Sequence, residues 1–300
     1  MIVVTGATGH TARPAVDILL AHGQKVRVLG RSAEKLAAFA AKGAEPFICH
    51  AADASSLTRA FAGADVVYAM IPMDPAALDM SAYQDGVSDA LAAAIRDSGV
   101  KHVVALSSIG AHLPDRTGPV LGLHRMEGKL NAIPGINVLH LRPSFFMENT
   151  LAQIPVIQKM GMMGGVQKGD LPIAMIATRD IGAAAADALE RRDFSGSSTR
   201  ELLGQRDLSL DEAARIIGSS LGKPNLSYSR IPEFIFKGAL RQMGISASVA
   251  DGLVALADCT NDGYMRPQET RTALNTTPTS FEAFVTETFV PAFRGQAASA

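Results

Sequence analysis

Two short stretches carry residue types that can hold phosphate. The first is Gly6-Ala7-Thr8-Gly9-His10-Thr11, set between the apolar run Ile2-Val3-Val4 and a helical pattern that includes Val16 to Leu20. Gly6 lets the chain reverse tightly, and Gly9 removes the side chain that would hold a pyrophosphate away from the backbone. The N–H groups of the opening helical turn then meet the anion, and the helix dipole favours it. Ala12 stands where a third glycine would pack helix on strand, a place that accepts alanine. The second stretch is Gly30-Arg31-Ser32, with Lys35 one helical turn on. A site for NAD places a carboxylate there to bind the ribose hydroxyls. A guanidinium, a hydroxyl and an ammonium suit a 2′-phosphate instead. The expected ligand is therefore NADP(H), with Gly6, Ala7, Thr8, Gly9, His10 and Thr11 at the pyrophosphate and Arg31, Ser32 and Lys35 at the ribose phosphate.

These groups act together only if strand ends bring them together. Strands are predicted at Ile2 to Val4, Lys25 to Leu29, Glu45 to Ile48, Asp65 to Met70, His102 to Leu106 and Ile136 to Leu141. Helices are predicted between them, at Ala33 to Lys42, Ser55 to Ala62 with Asp53 as cap, Met80 to Ser98 ended by Gly99, and Leu123 to Asn131. This alternation is an α/β pattern: a Rossmann-type, doubly wound parallel sheet with helices on both faces. Ligands in such sheets lie beyond the carboxyl ends of the strands. Met70, Ile71 and Pro72, Ser107 and Ser108, and the stretch from Pro143 to Asn149 then join the two phosphate-binding stretches.

After Asn149 the rhythm changes, so residues 1–150 are read as the dinucleotide-binding core and 151–300 as mainly a small C-terminal α/β lobe that returns elements to the core. Gly161-Met162-Met163-Gly164-Gly165 reads either as a mobile flap over a substrate or as a surface loop with methionines tucked inward. Further helices are predicted from Arg179 to Leu189, Leu210 to Leu221 capped by Ser209, Phe234 to Met243, Ala247 to Cys259 and Phe281 to Phe293, with a strand at Arg200 to Leu203. Gly295 to Ala300 have the composition of a frayed tail.

Composition narrows the function. A net charge of −1 over 300 residues, with no cluster of Lys or Arg, disfavours direct nucleic-acid binding and electrostatic membrane attachment. No apolar stretch reaches the length of a membrane span, and the phosphate turn at residue 6 leaves no room for a leader. Cys49 and Cys259 are the only cysteines, which forms neither a disulfide framework nor a metal site. A cytoplasmic protein without structural metal is expected.

Three strings, Thr5-Gly6-Ala7-Thr8-Gly9, Leu141-Arg142-Pro143-Ser144-Phe145-Phe146-Met147-Glu148-Asn149 and Arg179-Asp180-Ile181-Gly182, resemble the NmrA-like family of atypical short-chain dehydrogenases. The resemblance runs from residue 1 to about 220. It implies an open parallel sheet with a dinucleotide across the strand ends, and an activity drawn from NADPH-dependent quinone reductases, triphenylmethane-dye reductases or non-catalytic regulators that sense NADP(H). The wider short-chain dehydrogenase line uses a Tyr-x-x-x-Lys proton donor and a serine at the end of the fifth strand. None of Tyr68, Tyr83, Tyr228 and Tyr264 is followed four places later by lysine; Lys129 sits on about the right helix with Arg125 in the tyrosine place. Ser107 matches the serine, and His124 resembles a histidine of quinone-reducing relatives. Phe145 and Phe146 are candidate walls for the nicotinamide, and His50 a candidate neighbour of the adenine. Arg142, Glu148 and Asn149 read as residues that fix their turn.

Without the tyrosine, reductions that create an alkoxide are disfavoured, because an alkoxide needs a positioned acid. A quinone yields a phenolate, a far weaker base. The expected activity is hydride transfer from NADPH to a quinone-like or other apolar, electron-poor small molecule, with His124 and Ser107 as catalytic candidates. The competing expectation is a non-catalytic NADP(H)-sensing protein with a regulatory partner; a homodimer fits either.

Overall fold

The computed structural model describes residues 1–295; the end of the expected tail, residues 296–300, lies outside them. In chain order the core elements are β1 (Ile2–Val4), α1 (Ala12–Ala21), β2 (Val26–Gly30), α2 (Ala33–Ala40), β3 (Glu45–Ile48), α3 (Ala54–Phe61), β4 (Val66–Ala69), α4 (Met80–Ser98), β5 (His102–Leu106), α5 (Val120–Asn131) and β6 (Asn137–Pro143). Then come β7 (Phe145–Phe146), α6 (Ile154–Met160), β8 (Met163–Gly165), β9 (Ile173–Ile176), α7 (Thr178–Arg191), β10 (Ser197–Leu202), β11 (Asp207–Leu208), α8 (Leu210–Leu221), β12 (Tyr228–Arg230), α9 (Glu233–Gln242) and α10 (Ala247–Asn261).

Seven strands form one parallel sheet in the order β10-β6-β5-β4-β1-β2-β3. The order reverses between β1 and β4, which opens a crevice at their carboxyl ends. Both faces are covered. Val16 and Leu19 of α1 pack with Ile181, Ala185 and Leu189 of α7 on one side. Leu57 and Phe61 of α3, Leu91 and Ile95 of α4 and Met126 of α5 pack on the other. Strands buried on both faces read as continuous apolar runs, as Val66-Val67-Tyr68-Ala69 does.

Local signals placed the helix ends well. Asp53 Oδ1 accepts from Ser56 N–H, Ser209 Oγ accepts from Glu212 N–H, and Gly99 ends α4 in the left-handed conformation at φ +74°. The predicted helix from Phe281 to Phe293 is one run with a π-helical segment at Val285–Phe289. Pro291 explains the widening, since it has no N–H and its ring would strike the carbonyl four residues back.

Beyond Pro143 the chain adds small sheets that the periodicity did not predict. β7 lies between β6 and a 3-10 turn and pairs with β9, which pairs with β11; β8 pairs with β12. The glycine-methionine stretch is therefore a strand rather than a flap: Met163 is buried, and a Cβ on Gly165 would lie 2.7 Å from the Tyr228 hydroxyl. The edge strand β10 and the helix α7 belong to the core sheet and its covering layer, although both follow residue 150.

Candidate functional site

The turn after β1 is built from backbone. Gly6 has φ +61°, and a Cβ there would sit 2.5 Å from Met70 Sδ, so the side chain following β4 occupies the space any larger residue needs. Thr5 donates to the Tyr68 carbonyl through N–H (3.1 Å) and through Oγ1 (3.0 Å), while Oγ1 accepts from Met70 N–H (3.1 Å). These bonds tie the β1 end to the β4 end. Gly9 N–H donates to Gly6 O (2.8 Å) and Arg13 N–H to Gly9 O (3.0 Å). Among the described residues, the N–H groups of Thr8, His10, Thr11 and Ala12 have no protein acceptor. Four free donors at a helix start make an anion cradle. Beneath it Thr11 is buried and accepts from the Tyr68 phenol at 3.2 Å. Burial pushes the Tyr68 hydroxyl far above its ordinary range, which makes it a fixed support and not an acid.

At the end of β2, Ser32 Oγ caps α2 by accepting from Lys35 N–H (3.3 Å) and keeps its own proton to donate. Arg31 and Lys35 are exposed, and among the described residues neither makes an ion pair. Tyr83, in the first turns of α4, is half-buried. Burial and Asp74 raise its pKa, while the charge of Arg31 pulls it down. Met70, Ile71 and Pro72 form the start of the segment joining β4 to α4 and are half-buried. His50 is exposed after β3, its Nδ1 accepting from Ala52 N–H at 3.4 Å.

The end of β5 departs from the expectation. Ser107 is 3% exposed, and its Oγ donates to Glu127 Oε1 at 2.5 Å. Glu127 is forked by Arg142, Nε to Oε1 at 2.9 Å and Nη2 to Oε2 at 2.5 Å. Burial alone would raise the Glu127 pKa. The Arg142 bond, the charge of His140 and the Ser107 bond outweigh it and hold the carboxyl below its usual value. Ser107 thus belongs to a buried polar support beneath the strand ends. Ser108, next in the chain, is half-exposed with its hydroxyl unengaged among the described residues.

His124, half-buried on α5, places Nδ1 2.8 Å from Ala111 O. A carbonyl accepts only, so Nδ1 carries the proton and Nε2 is the free nitrogen. Close by is His112, a residue that sequence reasoning passed over although it lies just past β5, where the topology marks the site. Burial, then Arg142, hold its pKa low, and its Nδ1 is buried without a partner.

The positions of the missing acid are occupied otherwise. Arg125 Nε binds Asp85 (2.7 Å), and Lys129 Nζ binds Asp89 (2.6 Å) and Ser88 Oγ (2.9 Å). Both side chains lace α5 to α4 and leave the strand ends. After β6, Phe145 and Phe146 are half-buried and pair with Met175 and Ile176. Glu148 accepts from Thr178 N–H (3.0 Å) and Thr178 Oγ1 (2.6 Å), capping α7 as a structural reading requires; Asn149 is exposed.

The Arg179-Asp180-Ile181-Gly182 string also proves structural. Arg179 binds Glu287 (2.5 Å), Asp180 takes Thr279 N–H (3.0 Å) and Oγ1 (2.7 Å), and a Cβ on Gly182 would lie 2.7 Å from Pro14 Cβ and 2.9 Å from Thr11 O. One string fastens the C-terminal segment to α7 and lets α7 approach the phosphate turn. Among the described residues no group of His, Cys, Asp and Glu is arranged to hold a metal, and no helix is long and apolar enough to cross a membrane.

Comparison with known proteins follows the same lines. The chain is 30% identical over 224 residues, 75% of each chain, to (4-alkanoyl-5-oxo-2,5-dihydrofuran-3-yl)methyl phosphate reductase of Streptomyces griseus subsp. griseus. It is 28% identical over 255 residues to NAD(P)H azoreductase of Xenophilus azovorans, covering 84% of this chain and 85% of that one. Its fold matches an NADPH-dependent quinone oxidoreductase of Escherichia coli solved with NADPH, with a TM-score of 0.75, 23% identity, and coverage of 96% of this chain and all of the other. The model of the NmrA-like family matches residues 1–285, and the chain belongs to that family.

Proposed function

We propose that the chain is an NADPH-dependent oxidoreductase that reduces an apolar, electron-poor acceptor of the quinone type. The observation that carries this reading is the anion cradle of four N–H groups, together with exposed Arg31 and Lys35, all without partners among the described residues. The cradle fits a pyrophosphate and the cations fit a 2′-phosphate. Met70, Ile71, Pro72, Ser108 and Phe145 then line the path along the strand ends toward the nicotinamide. The reductases of Streptomyces griseus and Xenophilus azovorans lend support, since both are named for reductions.

When bound, the cofactor supplies a hydride. The protein's share is position and one proton. Ser107 has no direct part, because its proton is held by Glu127; it keeps the β5 end in place. His124 is the donor. With Nδ1–H anchored on Ala111 O, a proton on Nε2 is the one the ring can release. A quinone, gaining a hydride and a proton, becomes a hydroquinone and asks little of this donor. An ordinary ketone would need the tyrosine whose place Arg125 fills.

The test is NADPH consumption by purified protein with a simple benzoquinone, beside an azo dye. Turnover with either supports the reading. Tight NADP(H) binding with no turnover across such a panel overturns it in favour of a sensing role, for which a regulatory protein partner would then be sought.

A further inference from the structure

We infer that Arg13 is a third cation for the 2′-phosphate and sets the preference for NADP(H) over NAD(H), an inference that rests on the proposed cofactor. Arg13 lies on the first turn of α1, one residue beyond the cradle, and its Cζ stands 5.6 Å from the centre of the Phe39 ring on α2. The guanidinium therefore leans away from its own helix and over its neighbour. Phe39 is buried and fixed, so the ring is a rigid rest for a planar cation. On α2, Phe39 follows Lys35 by four residues and Lys35 follows Ser32 by three, which puts all three on one helical face. Arg13 thus reaches the face that presents the Lys35 ammonium and the Ser32 hydroxyl.

The charge is also available. The carboxylate positioned to neutralise Arg13 along α1 is Asp17, four residues on. Lys42 takes it, with Nζ 2.7 Å from Asp17 Oδ1. Arg13 itself is exposed and makes no ion pair among the described residues. The one carboxylate on α2, Glu34, points about a hundred degrees around the helix from Lys35. Among the described residues three cations without an ion pair serve α2, Arg31 and Lys35 at its start and Arg13 on the same face through Phe39, and a dianion is the ligand they suit. Arg13 differs from the other two in standing on the pyrophosphate helix, so its guanidinium joins the two halves of the phosphate site.

The test compares adenosine 2′,5′-bisphosphate with adenosine 5′-monophosphate, which differ only in the 2′-phosphate, by calorimetric titration of the wild type, Arg13→Gln and Arg13→Lys. The expected result is roughly 10-fold or greater weakening of the bisphosphate in Arg13→Gln, partial recovery in Arg13→Lys, and an unchanged monophosphate. Equal weakening of both ligands would place Arg13 on the 5′-phosphate and overturn the inference. No change in either would overturn it while leaving the cofactor reading intact. A wild type that does not prefer the bisphosphate would overturn the cofactor reading and this inference with it. Arg13 is exposed, so neither variant removes core packing.

Discussion

Glu127 and Arg142 form a forked ion pair buried beneath the strand ends, Glu127 from α5 and Arg142 from β6, with Ser107 of the β5 end donating into it. The pair ties α5 to the neighbouring carboxyl ends of β5 and β6. Removing one partner leaves the other charged and without compensation in a dry site. Glu127→Gln should lower unfolding free energy by about 3–5 kcal/mol in chemical denaturation. The sign with pH is set by the lowered Glu127 pKa. Its contribution is complete above the unfolded value of 4.5 and fades as pH falls through the lower folded value. The gap between wild type and variant should therefore narrow below that pH.

Buried imidazoles add a second pH dependence. His140 is 2% exposed, with Nε2 2.8 Å from Asn131 Oδ1, and burial holds its pKa below 6.5. Burial lowers His102 and His112 as well. Below about 6.5 the unfolded chain takes up protons that the folded one refuses, so stability is full above that value and declines on acidification. His140→Gln should reduce the slope of stability against pH, between pH 6.5 and 5, by up to about 1.4 kcal/mol per unit.

Arg31, exposed after β2, makes no ion pair among the described residues, and its role is separable from chemistry. Arg31→Ala should raise the NADPH KM roughly 10- to 100-fold with kcat nearly unchanged, and leave the NADH KM where it was. A fall in kcat alone would contradict the assignment.

His124 offers a different signature. His124→Phe should lower kcat on a quinone about 10- to 100-fold and change the size of the solvent deuterium isotope effect, because water then delivers the proton in place of the imidazole. Retention of both rate and isotope effect would remove His124 from the mechanism.

Gly182 tests the backing of the phosphate turn. Gly182→Val forces its side chain against Pro14 and the Thr11 carbonyl, and should cost about 1–3 kcal/mol in stability while weakening NADPH binding, with the two losses measured on the same preparation.

What could be read before folding was what is decided locally. The Gly6 turn, the Asp53 and Ser209 caps and the Gly99 stop each depend on a few adjacent residues, and strands such as β1, β4 and β5 carry plain apolar runs. β7, β8, β11 and β12 have two or three residues each, too few for a period to show. Ser107 is a catalytic candidate by its place at a strand end, which is local information; its partner Glu127 is 20 residues away and announced by no pattern. Arg13 was missed for the same reason, since its distinguishing contact is with Phe39 on the next helix. Arg142 and Glu148, read as residues that fix their turn, do so through partners that only the packed chain reveals.

The packing of α7 against α1 also bears on how the chain is made. The phosphate turn leaves the ribosome before α7 does, yet the Thr11 end of α1 rests on Gly182, and α7 is pinned through Asp180 to Thr279. Until α7 has been synthesised, the apolar face bearing Val16 and Leu19 lacks its cover of Ile181, Ala185 and Leu189. A nascent chain holds that face exposed through most of translation, which makes it a place for chaperones to hold. The phosphate turn, translated before α7, is backed only once α7 has followed it, and loss of the Thr279 anchor would loosen α7 on α1.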